Sequence, residues 1–222
     1  MPVLTIACAH EGKAKAACCR RFFAPVSVAM DKNAPLGGRY TPVAIALHWL
    51  IAALIVLNFI AAWVAEGMPK AQSAAVMANH KAIGLTILAA SVVRLVWRLM
   101  RGSPPFDERL KAWEVAVARV THWMFYFLMV GLPLSGWALA SSARAGQGVS
   151  YFGMLDIPAL PVAGDKASVG MYHEFHEVFA TIMLALFALH VAAALKHQFI
   201  DRDTTMARMV PWLKRGVPAS GD

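Results

Sequence analysis

Cysteine is nearly missing from this chain: the three that occur, Cys8, Cys18 and Cys19, all fall within the first 20 residues. The apolar body therefore has no thiol for a disulfide, a thiolate metal site or a nucleophile. Charge is scarce too. Asp, Glu, Lys and Arg make up 15% of the 222 residues against 59% hydrophobic, whereas a water-soluble domain carries about a quarter charged residues. No Gly-rich phosphate loop and no long polar low-complexity tract occurs, which argues against a nucleotide-binding module and a disordered protein. An integral membrane protein remains.

A hydrocarbon core of about 30 Å needs roughly 20 helical residues, and four segments meet that length: Thr41 to Ala65, Asn79 to Met100, Ala118 to Ala140, and Tyr172 to Lys196. The expected fold is all-α, an integral membrane antiparallel four-helix bundle over residues 39–200. The net charge of +8 does not describe a nucleic-acid face, because the basic residues avoid the apolar runs and gather in particular connections. Seventeen of the 21 lie before the first span, around the second connection or at and after the end of the fourth span. The first and third connections hold only Lys70, Lys81, Arg144 and Lys166. By the positive-inside rule both termini face the cytoplasm.

Residues 1–38 are too interrupted by charge to span a bilayer, and Glu11, Lys13 and Lys15 break any signal-peptide apolar region. They read either as a disordered extension or as untranslated sequence ahead of a start at Met30. Residues 201–222 mix Met206, Met209, Val210 and Trp212 with Arg202, Arg208, Lys214 and Arg215, the pattern of a cytoplasmic tail on the membrane surface.

Seven of the eight histidines lie in or at the ends of the spans, where ionisable groups are costly and usually functional. His176 and His190 are 14 residues apart on the fourth span. That spacing puts them within roughly 40° of one face and about 21 Å apart along it. With the termini inside, His80 at the outer start of the second span matches His176 in depth, while His48 and His190 both lie about 10 Å from the inner face. A facing pair of neutral imidazoles suits the two axial positions of a non-covalent haem iron. The absence of a C-x-x-C-H run excludes covalent haem attachment. Zinc would want four ligands at one depth and a di-iron site several buried acids, and neither set is present. Single intramembrane histidines often serve helix packing, but four matched in depth on three spans favour ligands.

Other positions carry two readings each. His122 also reaches the inner level and ranks behind His48 as a ligand, with interface packing or a haem propionate contact ahead of ligation. His173 is an outer-surface residue or a haem-edge contact. Gly84, one turn after His80, admits either a porphyrin or a close helix neighbour. Arg94, at the inner level, suits a haem propionate or the inner headgroups. Pro133 interrupts the third span.

The segments Arg39-Tyr40, Leu47-His48-Trp49, His80-Lys81-Ala82-Ile83-Gly84, Arg94-Leu95, Thr121-His122, Leu132-Pro133-Leu134-Ser135-Gly136, Glu174-Phe175-His176-Glu177 and Leu189 to His197 together resemble the bacterial cytochrome b561 family. The resemblance covers about Arg39 to Arg215. It implies four antiparallel spans carrying two b-type haems, with His48, His80, His176 and His190 at the positions of the four axial ligands. Members carry electrons between an outer-side donor and the quinone pool. One branch, which this chain resembles in size and architecture, oxidises superoxide outside and reduces ubiquinone near its inner face. The outer connections hold four basic residues against Glu66, Asp156, Asp165, Glu174 and Glu177, so steering of an anion must be local, with Lys81 beside His80 as the candidate. A periplasmic redox protein stays open as the donor.

The leading expectation is therefore an oxidoreductase passing electrons from an outer haem to an inner haem and on to ubiquinone. His197, seven residues past His190, is the candidate to hydrogen-bond a quinone carbonyl, with interfacial snorkelling as the alternative. A haem subunit of a larger membrane oxidoreductase is a second redox reading. A non-redox transporter or assembly protein is the rival from another class.

Overall fold

Thr41 and Pro42 open the first helix: the Thr41 hydroxyl accepts the Ala44 N–H at 3.3 Å, and proline fits a first turn that needs no N–H partner. The computed structural model describes residues 39–106, 110–144, 146–210 and 212–213. The amino-terminal extension, with His10 and the alternative start at Met30, lies outside the described residues, as do Arg109, Lys214 and Arg215. Helix α1 is Pro42–Glu66, α2 Lys70–Arg101, α3 Ala112–Ala143 and α4 Lys166–Lys196. A wide π-type turn, His197–Asp201, continues α4, and a 3-10 turn, Met206–Arg208, follows.

All four helices are long and apolar enough to cross a membrane. Leu57, Val93, Phe127 and Leu189 are each more than half exposed, an arrangement that lipid tolerates and water does not. The helices outrun the apolar segments. Helix α2 starts at Lys70 rather than Asn79, α3 at Ala112 rather than Ala118, and α4 at Lys166 rather than Tyr172. The reason is that loss of apolarity does not end a helix. Pro69 precedes the first residue of α2 and Gly102, at φ 69°, follows the last, while Asp165 caps α4. The Ser168 hydroxyl at 2.7 Å and the Ser168 and Ala167 N–H groups at 3.0 Å hold the Asp165 carboxyl below the usual carboxylate range.

Consecutive helices pack against each other, α1 on α2, α2 on α3 and α3 on α4, whereas α4 makes no comparably close backbone approach to α1 or α2. One core cluster joins the bundle at mid-height: Ile51 and Ile55 of α1, Ile87 of α2, Tyr126, Leu128 and Met129 of α3, and Met183 of α4. Met183, the one fully buried residue of α4, stands midway between His176 and His190.

The α3–α4 connection is more ordered than its Gly and Pro content suggests. Strand β1, Val149–Tyr151, pairs antiparallel with β2, Leu155–Ile157. The Tyr151 hydroxyl lies 3.0 Å from Thr86 Oγ1 of α2. Ser141 and Ser142, both buried, bind Leu160 N and Ala163 O at 3.0 and 2.5 Å. At the opposite end the tail is tied to the bundle. Trp49 Nε1 donates to Met209 O at 2.9 Å, Arg39 donates to Leu213 O at 3.2 Å, and Arg208 donates to Pro105 O. Ala207 and Val210 are buried.

Candidate functional site

The four expected ligand histidines fall at two levels on either side of the Met183 belt. At the hairpin end, His80 is ten residues into α2 and His176 ten residues into α4, and their ring centres are 6.2 Å apart. At the tail end, His48 is six residues into α1 and His190 six from the end of α4, with ring centres 6.3 Å apart. Two imidazoles sharing one axial metal, at about 2 Å per bond, have ring centres roughly 6 Å apart. Both pairs fit that separation, and both lie in the gap that α4 leaves toward α1 and α2.

Hydrogen bonds orient the hairpin-end pair. His80 Nδ1 donates to Asn58 O at 3.1 Å, and His176 Nδ1 donates to Leu132 O at 3.1 Å with Ser135 Oγ 3.2 Å away. A carbonyl only accepts, so each Nδ1 carries the proton and each Nε2 keeps its lone pair for a metal. These rings line a cavity of about 830 Å³, together with Gly84, Gly136, Lys81 and Arg144. Gly136 is there because His176 is: a Cβ would come within 2.9 Å of its Cε1. A Cβ on Gly84 would meet only the Asn58 amide, at 3.8 Å, so close helix packing does not account for that glycine. Among the described residues the buried Asn58 Oδ1 has no hydrogen-bond partner. His173 sits 3.7 Å from Glu177 with both side chains well exposed.

Three imidazoles meet at the tail-end level. His122 of α3 is 6.1 Å from His190, ring centre to ring centre, and Phe125 is 5.3 Å from it. Arg94 donates to Ala44 O at 2.7 Å, one turn before His48 on α1. His197 is part of a charged cluster. Its Nδ1 is 2.7 Å from Asp203 Oδ2 and 3.1 Å from Asp201 Oδ2, while Lys196 Nζ is 2.5 Å from Asp201 and 3.3 Å from Glu114. His197, Asp201 and Asp203 bring three ligand atoms within 4.8 Å. The Lys196 ammonium already compensates Asp201, which makes this an ion-pair network rather than an open cation site.

A family model of prokaryotic cytochrome b561 matches residues 39–212. The chain belongs to that family. A probable superoxide oxidase of Yersinia pestis is 27% identical over 178 residues, covering 80% of this chain and 98% of that protein. Cytochrome b561 homolog 2 of Escherichia coli is 29% identical over 184 residues, covering 78% and 91%. A cytochrome b562 of Cereibacter sphaeroides is 26% identical over 182 residues, covering 77% and 94%. This protein is thus a membrane haem protein of an electron-transport family, with four helices fit to span the membrane.

Several residues around the sites of this cytochrome were not expected from sequence. Asn58, Leu132 and Ser135 orient ring nitrogens from 22 to 44 residues away, and Arg144 joins Lys81 at the cavity. Pro133 carries the one available signal. It interrupts α3 one residue after Leu132, whose carbonyl accepts from the Ser135 and His176 side chains, although the helical N–H it lacks would have paired with Met129 O.

Proposed function

We propose that this cytochrome is a di-haem quinone reductase of the bacterial inner membrane. His80 and His176 hold the outer haem, His48 and His190 the inner haem. The donor is superoxide or a periplasmic redox protein, and the acceptor is ubiquinone. The observation that carries the reading is the repetition of one imidazole spacing, 6.2 and 6.3 Å, at two levels of a single helix. Helical rise puts the two ligands of α4 about 21 Å apart. Bound there, the haems supply one-electron transfer.

The polypeptide's part is to position and screen. Asn58 and Leu132 fix the tautomers of the outer pair, and the Met183 belt keeps the two levels apart. The basic split supports an outer hairpin end and an inner tail end. Lys81 and Arg144, both lining the outer cavity, supply a local positive field for an anionic donor although the outer connections are not basic as a whole. Likeness to a probable superoxide oxidase supports superoxide as that donor. At the inner end, Nδ1–H of His197 is committed to Asp203. Its Nε2 therefore accepts from a quinol hydroxyl, and donates to a quinone carbonyl only as the imidazolium.

The decisive experiment mixes purified protein with a superoxide source and follows haem reduction and ubiquinone-dependent reoxidation. The reading expects two haems per chain, reduced by superoxide and reoxidised by ubiquinone. A colourless folded protein would end the di-haem reading, and haem that superoxide leaves oxidised would end the superoxide assignment.

A further inference from the structure

The inner level holds one imidazole more than an iron can use. His122 and His48 approach His190 from different helices at nearly equal ring separations, 6.1 and 6.3 Å, with interplanar angles of 81° and 72°. Either separation accommodates an axial metal between two rings. The chemistry of the third ring is equally suitable. His122 Nδ1 donates to the Ala118 carbonyl at 2.6 Å, which leaves Nε2 with a free lone pair and a fixed ring orientation, the arrangement that metal-bound histidines use. No such hydrogen bond orients His48 among the described residues. By this criterion the α3 imidazole is better prepared for a metal than the α1 imidazole it accompanies.

We infer that His122 is a reserve axial ligand, able to take the position opposite His190 when His48 leaves it. The inference rests on the di-haem reading proposed above. In the exchange the bond from His48 Nε2 to iron breaks and a bond from His122 Nε2 forms. Both rings are neutral and His122 keeps its Nδ1 proton on Ala118, so no proton moves and no oxidation state changes. The exchange would keep His190 in place and replace only the ring that faces it, from α1 to α3. Among the described residues the outer level has no equivalent. His173 is one turn from His176 on the same helix, is well exposed, and pairs with Glu177.

The test uses the full-length purified protein, with haem counted per chain and the spin state of ferric haem read by electron paramagnetic resonance. Wild type and His122→Ala should each hold two low-spin haems, and His190→Ala one. His48→Ala should still hold two, the inner one low-spin, and His48→Ala/His122→Ala should drop to one or turn the inner haem high-spin. Added imidazole should restore the low-spin signal in the double variant, showing that the site itself survives. His48→Leu, which fills the vacated volume, repeats the test should the alanine variant fold poorly. Two outcomes overturn the inference. In one, His48→Ala and His48→Leu lose the inner haem or its low-spin signal while the outer haem is kept. In the other, His122→Ala alone loses the inner haem, which would make His122 the principal ligand. Fewer than two haems in wild type would instead refute the di-haem reading beneath it.

Discussion

Replacing Gly136 with alanine should weaken the outer haem selectively. An added Cβ would stand 2.9 Å from Cε1 and 3.1 Å from Nδ1 of His176, whereas carbon atoms in good contact are about 3.5–4.0 Å apart. The ring must therefore retreat by about 0.6 Å or more, and its freedom to do so is limited. Nδ1 is held by Leu132 O at 3.1 Å, with Ser135 Oγ at 3.2 Å, and a shift of that size takes these contacts toward the limit of a useful hydrogen bond. Overpacking of this kind costs about 1–3 kcal/mol, which at 1.4 kcal/mol per tenfold is roughly 5- to 150-fold in the hold on the outer haem. Two other glycines on the same bundle serve as controls. Gly131→Ala meets Phe179 at 3.1 Å and should loosen packing without singling out one haem. Gly84→Ala strains no protein contact, since only the Asn58 amide lies near, at 3.8 Å. Any haem loss in Gly84→Ala would come from a group seated in the cavity itself. The assay is transfer of haem to an excess of acceptor apoprotein, with the two haems followed separately by their reduced spectra. If Gly136→Ala releases the outer haem no faster than the parent, the placement of His176 as a ligand in that cavity is wrong.

Replacing His190 with alanine should remove the inner haem and leave the outer one, while His80→Ala or His176→Ala should do the reverse; loss of the opposite haem would show the pairing to be wrong. A reporter active only in the periplasm should be silent when fused after Asp222 and active when inserted near Gly146, and the opposite pattern would reverse the direction of electron flow. His197→Ala should keep both haems reducible from outside and slow only reoxidation by limiting ubiquinone, by roughly tenfold or more, because the bond lost to the quinone carbonyl is one that only the imidazolium can donate. An unchanged rate would remove His197 from the quinone site and leave it as a partner of Asp203.

The bundle was legible from run length, and the histidine pairing from helical periodicity combined with antiparallel order, because both depend on spacings that survive any detail of packing. Helix ends were not. Apolarity marks where a membrane begins, and the helices continue through Lys70, Gln72 and Ser73 or through Trp113 and Glu114 until a proline, a glycine or a cap intervenes. Strands of three residues are too short to show alternation, so the Val149–Ile157 hairpin left no periodic trace. The Asp203 contact to His197 depends on a chain reversal after the π-type turn, with Arg202 at φ 52° in place of the glycine that would have signalled it. The carbonyls that orient His80 and His176 belong to Asn58 and Leu132, whose side-chain identities say nothing about where their backbone oxygens point.

The position of α4 follows from the solvent this protein works in. In water a helix as apolar as Lys166–Lys196 would collapse onto its neighbours to hide its exposed faces; in a bilayer the lipid chains satisfy those faces, and no hydrophobic force closes the gap toward α1 and α2. What holds α4 is local. It packs along α3, inserts Met183 into the core cluster, and ends in the charged network of Lys196, His197 and Asp203. Above and below Met183 the gap remains, and the side chains that bridge it at ring-contact distance are the histidine pairs. An apolar, planar group with two axial coordination positions fills such a gap without forcing any helix to move. The same residues that look underpacked in the polypeptide alone, Gly84 and Asn58 beside His80, are those that would touch it.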